Sequence, residues 1–279
     1  MKIRSILLAL LLTCLATFAF AAPSTCPQFY LGGQAPDILS AKYSQKTQEL
    51  PFAAFGVIHS GITRTPLVSA EHLIGSEQQD KSPASVKRNF YAEPRLLAAD
   101  RAEPKDYKQP DYNKKSGYDQ GHMSPFADMP DDNARKESCS LANIVPQNAE
   151  VNEILWRKIE DLTRHLARSW GELYVVTGPI FADSNPKKMN DRVSVPNYIF
   201  KAIYSPKYKA AAAYFVANTP VGRYAVLPIA ALEKVSGLAI FPGLEDKLKQ
   251  TPMVLPKPTS TPKLEIIEDK TIVPNLPAP

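Results

Sequence analysis

The stretch from about residue 150 to 169 constrains the fold most, because its apolar residues recur with the period of a helix. Leu155, Ile159, Leu162 and Leu166 fall at i, i+4, i+7 and i+11 and form one stripe. Asn148 stands where an N-cap is expected. Around this helix the pattern changes. Phe52 to His59 is apolar and β-prone, and Ser60-Gly61 marks a turn after it. Ser138 to Val145 reads as buried and extended. Leu173 to Thr177, ending in Gly178-Pro179, reads as a strand, as do Val193 to Tyr204 and Ala212 to Ala217. Ala230 to Val235 reads as a short helix. This mixed order predicts an α+β domain. Residues 74–117, rich in charge, Ser, Pro and Tyr, read as mainly irregular, and a connection that long is usually functional.

The ends have their own character. Lys2 and Arg4 precede an apolar run from Ile6 to Phe20, and Ala19-Phe20-Ala21 fits a cleavage site, so residues 1–21 read as a signal peptide. An uncleaved anchor and a lipoprotein built on Cys14 are the alternatives. Cleavage predicts a periplasmic or secreted protein with no stable membrane association. It leaves Cys26 and Cys139, which in an oxidising compartment are expected to pair as a disulfide. There is no CxxC, so these two do not make a zinc site. Net charge is +5, or +3 once Lys2 and Arg4 are removed. A nucleic-acid partner would therefore need a local basic patch. Residues 22–250 read as one domain. Residues 251–279 hold seven prolines and read as an extended or disordered tail, with a partner-binding segment as the alternative.

Two stretches carry chemistry. In Ser116-Gly117-Tyr118-Asp119-Gln120-Gly121-His122-Met123, a glycine that tolerates close approach sits beside an imidazole suited to taking a proton near neutral pH. The residues alone leave open a structural histidine or a general base. His59, His72 and His165 read as structural, and no histidine has a partner at i+3 or i+4. The second stretch runs from Asn143-Ile144-Val145-Pro146-Gln147 into the helix, where Asn152, Trp156, Glu160 and Arg164 form an i, i+4 row. An amide oxygen with a carboxylate suits Mg²⁺, which takes few protein ligands and keeps its waters. An ordinary solvated face with a Glu160–Arg164 pair is the other reading.

Together these motifs resemble the DNA/RNA non-specific endonucleases, the ββα-metal nucleases. The resemblance spans roughly Phe52 to Leu244 and includes SGYDQGHM (116–123), NIVPQ with Asn152 and Glu160 downstream, VVTGPIF (175–181), VPNYIFKAIY (195–204) and SGLAIFPGL (236–244). It implies a ββα-metal (His-Me finger) fold, with a central antiparallel or mixed sheet flanked by helices. It implies His122 as general base, Asn152 as the direct ligand of Mg²⁺ (replaceable by Mn²⁺) and Glu160 as the carboxylate that orients the metal's waters. Arg64 and Arg164 become phosphate-stabilising arginines. Asp119 shapes the loop, while Asn143 and Gln147 lie near the substrate.

Gln120 departs from the pattern, which has arginine there. Glutamine donates hydrogen bonds but brings no charge to a phosphate. The resemblance implies hydrolysis of DNA and RNA with little sequence preference and 5′-phosphate ends. Gln120 motivates one rival, a catalytically weakened nucleic-acid-binding protein, and the Pro-rich tail another, an exported envelope-interaction protein. Tyr91, Tyr107, Tyr112 and Tyr118 could stack bases or simply pack. Oligomeric state is open, a dimer included.

Overall fold

The computed structural model describes residues 24–78, 85–108 and 117–274. The signal-peptide expectation and Tyr112 lie outside the described residues. Eight strands form the main sheet: β1 (Thr47–Pro51), β2 (Gly56–Ser60), β3 (Thr65–Ile74), β6 (Glu172–Ile180), β7 (Tyr198–Ser205), β8 (Ala210–Ala217), β9 (Arg223–Leu227) and β10 (Ile267–Glu268). A separate ribbon pairs β4 (Tyr118–His122) with β5 (Ile144–Asn148). The α-helices are α1 (Asp132–Ser138), α2 (Arg157–Trp170), entered through a π-helical segment Val151–Trp156, α3 (Ile229–Ser236) and the short α4 (Asp246–Gln250). The sheet order is β10-β9-β8-β7-β6-β3-β2-β1; every neighbouring pair is antiparallel except β9–β10. This is a mixed sheet in an α+β fold.

Side chains alternate across a strand, so the sheet has two working faces. Leu73, Val175, Ile199, Ile203 and Val216 point to the face covered by α2, where Leu155, Trp156, Ile159 and Leu166 meet them. Val68, Ala70, Val176, Phe200, Ala202 and Phe215 point to the other, which α3 closes with Ile229 and Leu232, and the N-terminal segment with Phe29 and Tyr30. The expected α2 stripe is present with one change: Leu162 is only half-buried, and Thr163 is the buried residue. Asn148 does cap the helix, its Oδ1 accepting from Val151 N at 3.2 Å.

Two expectations are corrected, and one strand was not expected. Residues 52–55 turn rather than extend: Phe52 N donates to Phe55 O (2.9 Å), and the two rings stack. That apolar run fills a buried turn between β1 and β2. The ten-residue strand β3 is absent from the sequence reading because Ser69 and Glu71 break its apolar pattern while being buried. The Pro-rich tail is not disordered over its described part. Leu255 and Leu264 are buried in the α2-side core, and Tyr214 Oη donates to Pro256 O (2.6 Å). Ile267–Glu268 then covers the β9 edge as β10. Prolines keep regular structure here to short pieces, but they do not prevent packing.

Candidate active site

The β4–β5 ribbon and the start of α2 make a ββα unit on the α2 face of the sheet. In register, His122 lies opposite Ile144, Gly121 opposite Val145 and Asp119 opposite Gln147. Gly121 is required by close approach: a Cβ there would sit 2.1 Å from Gln147 Oε1 and 2.6 Å from Gln147 Cβ. Gln147 therefore plugs the underside of the ribbon and has no exposed surface. The residues after His122 are tied down by Asn143. Its Oδ1 accepts from Ser69 Oγ and Ser124 N (both 2.9 Å), and its Nδ2 donates to the carbonyls of Ser124 and Ser138 (both 2.9 Å). Asn143 and Gln147 were expected beside substrate. Both are instead buried scaffold.

His122 is half-buried, with Phe90 and Phe126 beside its ring at centroid distances of 5.3 and 6.5 Å. Nε2 faces Cys139 Sγ at 3.9 Å. Burial, reinforced by the positive charge of Arg88, pushes its pKa down to about 3. The imidazole is thus neutral near pH 7 and able to accept a proton.

Asn152 lies in the π-helical segment, and its Nδ2 donates to Asp119 Oδ2 at 2.9 Å. An ionised carboxylate only accepts, so the amide's NH₂ must face Asp119 and its carbonyl oxygen must turn away. Two turns along α2 is Glu160, whose carboxyl is pushed up to about 7 by burial, with Lys201 as the main opposing influence and Asp128 adding to the rise. Arg164 pairs with both Asp128 and Asp161. Burial works against its charge, but Asp128, with Glu160 and Asp161, holds its pKa above the usual value. Trp156, the remaining member of the row, is buried in the core.

Two arginines, Arg64 and Arg88, are held in different ways. Arg64 sits in a turn with φ 56° and donates to Ala99 O (3.0 Å) and Arg192 O (2.9 Å), so it ties three segments together. Arg88 is the arginine whose charge acts on His122, exposed, with its guanidinium 5.0 Å over the Phe126 ring. The sequence reading missed it inside the irregular region. The available signal was a Lys-Arg-Asn-Phe tetrapeptide, a basic pair next to an aromatic. Gln120 lies on the His122 side of β4, opposite Pro146.

The expected disulfide is absent. Cys26 and Cys139 are both free and buried, Cys26 among Tyr30, Glu49 and Gly56, and Cys139 against His122 and Arg135 O. The remaining histidines lie in different settings. His59 is buried with Nε2 at 3.0 Å from Asp100 O, His72 stacks on Tyr174, and His165 is exposed on α2. Tyr107 is core, its Oη donating to Ile144 O (3.3 Å), and Tyr91 bridges to Ser140. Tyr118 is half-buried, with Lys187 5.0 Å over its ring. Among the described residues no group of three or more His, Cys, Asp or Glu is placed to hold a metal. A metal here depends on the Asn152 oxygen, and the Asp119 contact that turns this hard donor outward fits a Mg²⁺-type ion keeping most of its waters.

The profile of the DNA/RNA non-specific endonuclease family matches residues 35–247. The chain belongs to that family. It is 32% identical over 204 residues to the mitochondrial nuclease EXOG of Danio rerio, covering 65% of this chain and 57% of that protein. It is 33% identical over 193 residues to the nuclease of Serratia marcescens, covering 63% and 71%. The chain thus spans 57% and 55% of the length of the EXOG nucleases of Danio rerio and Xenopus laevis. It also superposes on a chain of the EndoG/EndoGI crystal complex, with a TM-score of 0.64, 22% identity, and coverage of 82% of this chain and 96% of that one. That likeness establishes the ββα-metal nuclease fold for this endonuclease-family chain.

Proposed function

We propose that this protein is a Mg²⁺-dependent endonuclease that hydrolyses DNA and RNA phosphodiesters with little sequence preference. One observation carries this: a neutral histidine and an outward-turned amide oxygen stand on adjoining arms of one ββα unit. His122, with Nε2 against Cys139, keeps Nδ1 for water and takes its proton as the water attacks phosphorus. Arg88 and Arg164 stabilise the charge that builds on the phosphoryl oxygens. Glu160, as a carboxylate, accepts hydrogen bonds from water in the cleft and helps deliver a proton to the departing 3′ oxygen. Mg²⁺ held by Asn152 would supply Lewis-acid stabilisation of the phosphate and the leaving oxygen, and Mn²⁺ is the natural substitute.

Departure of the 3′ oxygen leaves 5′-phosphate ends. No residue in this scheme acts on a ribose 2′-hydroxyl, so both nucleic acids are substrates. Backbone contacts carry no direct sequence information. The N-terminal Lys2–Ala21 pattern supports export to the periplasm or beyond. Plasmid nicking in Mg²⁺ tests the assignment: His122→Ala and Asn152→Ala should each abolish cutting, as EDTA should. Undiminished cutting by His122→Ala would remove the proposed base. Tight DNA binding by wild-type protein without cutting in any divalent metal would favour the binding-only reading that Gln120 suggests.

A further inference from the structure

Lys201 has no exposed surface. A buried ammonium is unfavourable unless an opposite charge answers it. Its position in β7 places it opposite Thr177 of β6, which in turn lies opposite Ser69 of β3, a polar row across the face beneath α2. Lys201 Nζ donates to Thr177 Oγ1 at 2.8 Å and lies 5.4 Å from the Trp156 ring centroid. Hydroxyl and ring are both neutral, so they orient the ammonium without balancing its charge. Trp156 precedes Glu160 by one helical turn, so the ammonium sits under the part of α2 that presents Glu160.

Among the described residues, the charges that act most on Glu160 are Lys201, Asp128, Arg164 and Asp161. Arg164, on α2 itself, is shared between Asp128, from the turn after β4, and Asp161, its α2 neighbour. Two carboxylates around one guanidinium leave that triad without surplus positive charge. Glu71 of β3 adds another buried carboxylate on the same sheet face. Lys201 is the foremost charge favouring the ionised form of Glu160.

We propose that Lys201 is a positioning residue for phosphodiester hydrolysis: from beneath α2 it holds Glu160 as a carboxylate that accepts hydrogen bonds from water in the cleft. The proposal rests on the reading of Glu160 as a participant in the reaction. Without Lys201, Glu160 takes up a proton at higher pH and can no longer act only as an acceptor. The effect passes through charge, so Arg in place of Lys should preserve it and Met should not.

The test uses the metal-free full-length protein first. Carboxyl-¹³C glutamate NMR follows Glu160, its signal assigned by loss in Glu160→Gln. In Lys201→Met the Glu160 titration should move up by about one pH unit or more, a roughly tenfold change in proton affinity. Lys201→Arg should titrate like wild type. In Mg²⁺, the acid limb of the nicking rate should shift the same way. Cutting by Lys201→Met should then fall roughly tenfold near pH 6 and recover near pH 9, with KM for plasmid unchanged. An unmoved Glu160 titration overturns the proposal, as does a loss of rate equal at all pH values. A moved titration with an unmoved rate profile overturns it through the role of Glu160, not through the pairing. If Lys201→Met does not fold, Lys201→Met/Glu160→Gln replaces it. Recovery of folding supports the charge pair, and failure of both variants assigns Lys201 a purely structural role.

Discussion

Asp119 Oδ2 accepts a hydrogen bond from Asn152 Nδ2 at 2.9 Å, linking the first strand of the ββα unit to the first turn of its helix. The contact fixes which end of the amide faces the cleft. It leaves the amide oxygen for a hard cation and explains why an acid is useful three residues before His122. Replacing Asp119 with Ala lets the amide rotate. The expected result is a roughly 10–100-fold higher Mg²⁺ requirement, the usual cost of losing a group that orients a ligand, with KM for DNA little changed. A Mg²⁺ titration of plasmid nicking measures this. An unchanged requirement would mean that Asp119 only shapes the ribbon.

The two arginines, Arg88 and Arg64, should separate cleanly. Arg88 is exposed beside His122, whereas Arg64 is bonded to two backbone carbonyls. Arg88→Ala is expected to weaken DNA binding and to lower the salt slope of binding by about one counterion. Arg64→Ala should leave the slope intact and lower the melting temperature instead. Fluorescence anisotropy across a salt series, with thermal melts beside it, decides the assignment. The opposite pattern would return Arg64 to the phosphate.

Much of the site was legible because its residues are consecutive or lie on one helix. Gly121 next to His122, and Asn152 and Glu160 on the run from the π-helical segment into α2, are set by local geometry that spacing encodes. What was not legible depends on long-range packing. Arg88 stands 34 positions before His122 in the sequence, and no period marks it. Asn143 and Gln147 adjoin the cleft in sequence, yet both are buried, Asn143 at the end of a 3-10 turn and Gln147 on the inner side of β5. The buried Ser69 and Glu71 hid β3, since polar residues on a buried face defeat an apolar pattern.

Both cysteines should behave as free thiols. Denatured, unreduced protein is expected to react at Cys26 and Cys139 together, while the native protein reacts slowly because both are buried. Burial also raises both thiol pKa values, that of Cys26 to about 11, so little thiolate is present near neutral pH. A thiol count with and without denaturant is sufficient. A mass two hydrogens lighter in denatured, unreduced protein would restore the disulfide.

Acid should destabilise the fold through His59. It is 1% exposed, and burial pushes its pKa down to about 4 from 6.5. The unfolded chain therefore binds a proton in a range where the folded chain does not. The associated stability is complete above about pH 6.5 and is lost as pH falls towards 4, on the order of 3 kcal/mol in all. His59→Gln keeps a polar side chain that does not titrate, and it should flatten this part of the stability curve. Urea unfolding between pH 4 and 7 gives the slope, and equal slopes in both proteins would remove His59 as the cause.

The C-terminal segment is part of the domain. Leu255 and Leu264 fill the core under the α2 face, Met253 N donates to Ala211 O (2.9 Å), and Tyr214 Oη uses the Pro256 carbonyl. Lys158 Nζ also reaches Thr259 Oγ1 at 3.3 Å, which fastens the segment to the helix that carries Glu160. Truncation after Thr251 removes two buried leucines, leaves the Tyr214 hydroxyl without its acceptor and uncovers the β9 edge. Each lost leucine alone is worth about 2–5 kcal/mol. A domain of this size loses roughly 2–4 °C per kcal/mol, so the melting temperature should fall by roughly 8 °C or more. None of His122, Asn152, Glu160 or Arg88 lies in the segment, so nicking per folded molecule at low temperature should persist. Leu255→Ala and Leu264→Ala should each give an intermediate melt. A truncated protein that melts with the full chain would show that the strap adds no stability, and loss of cutting by a well-folded truncation would place the segment in the reaction.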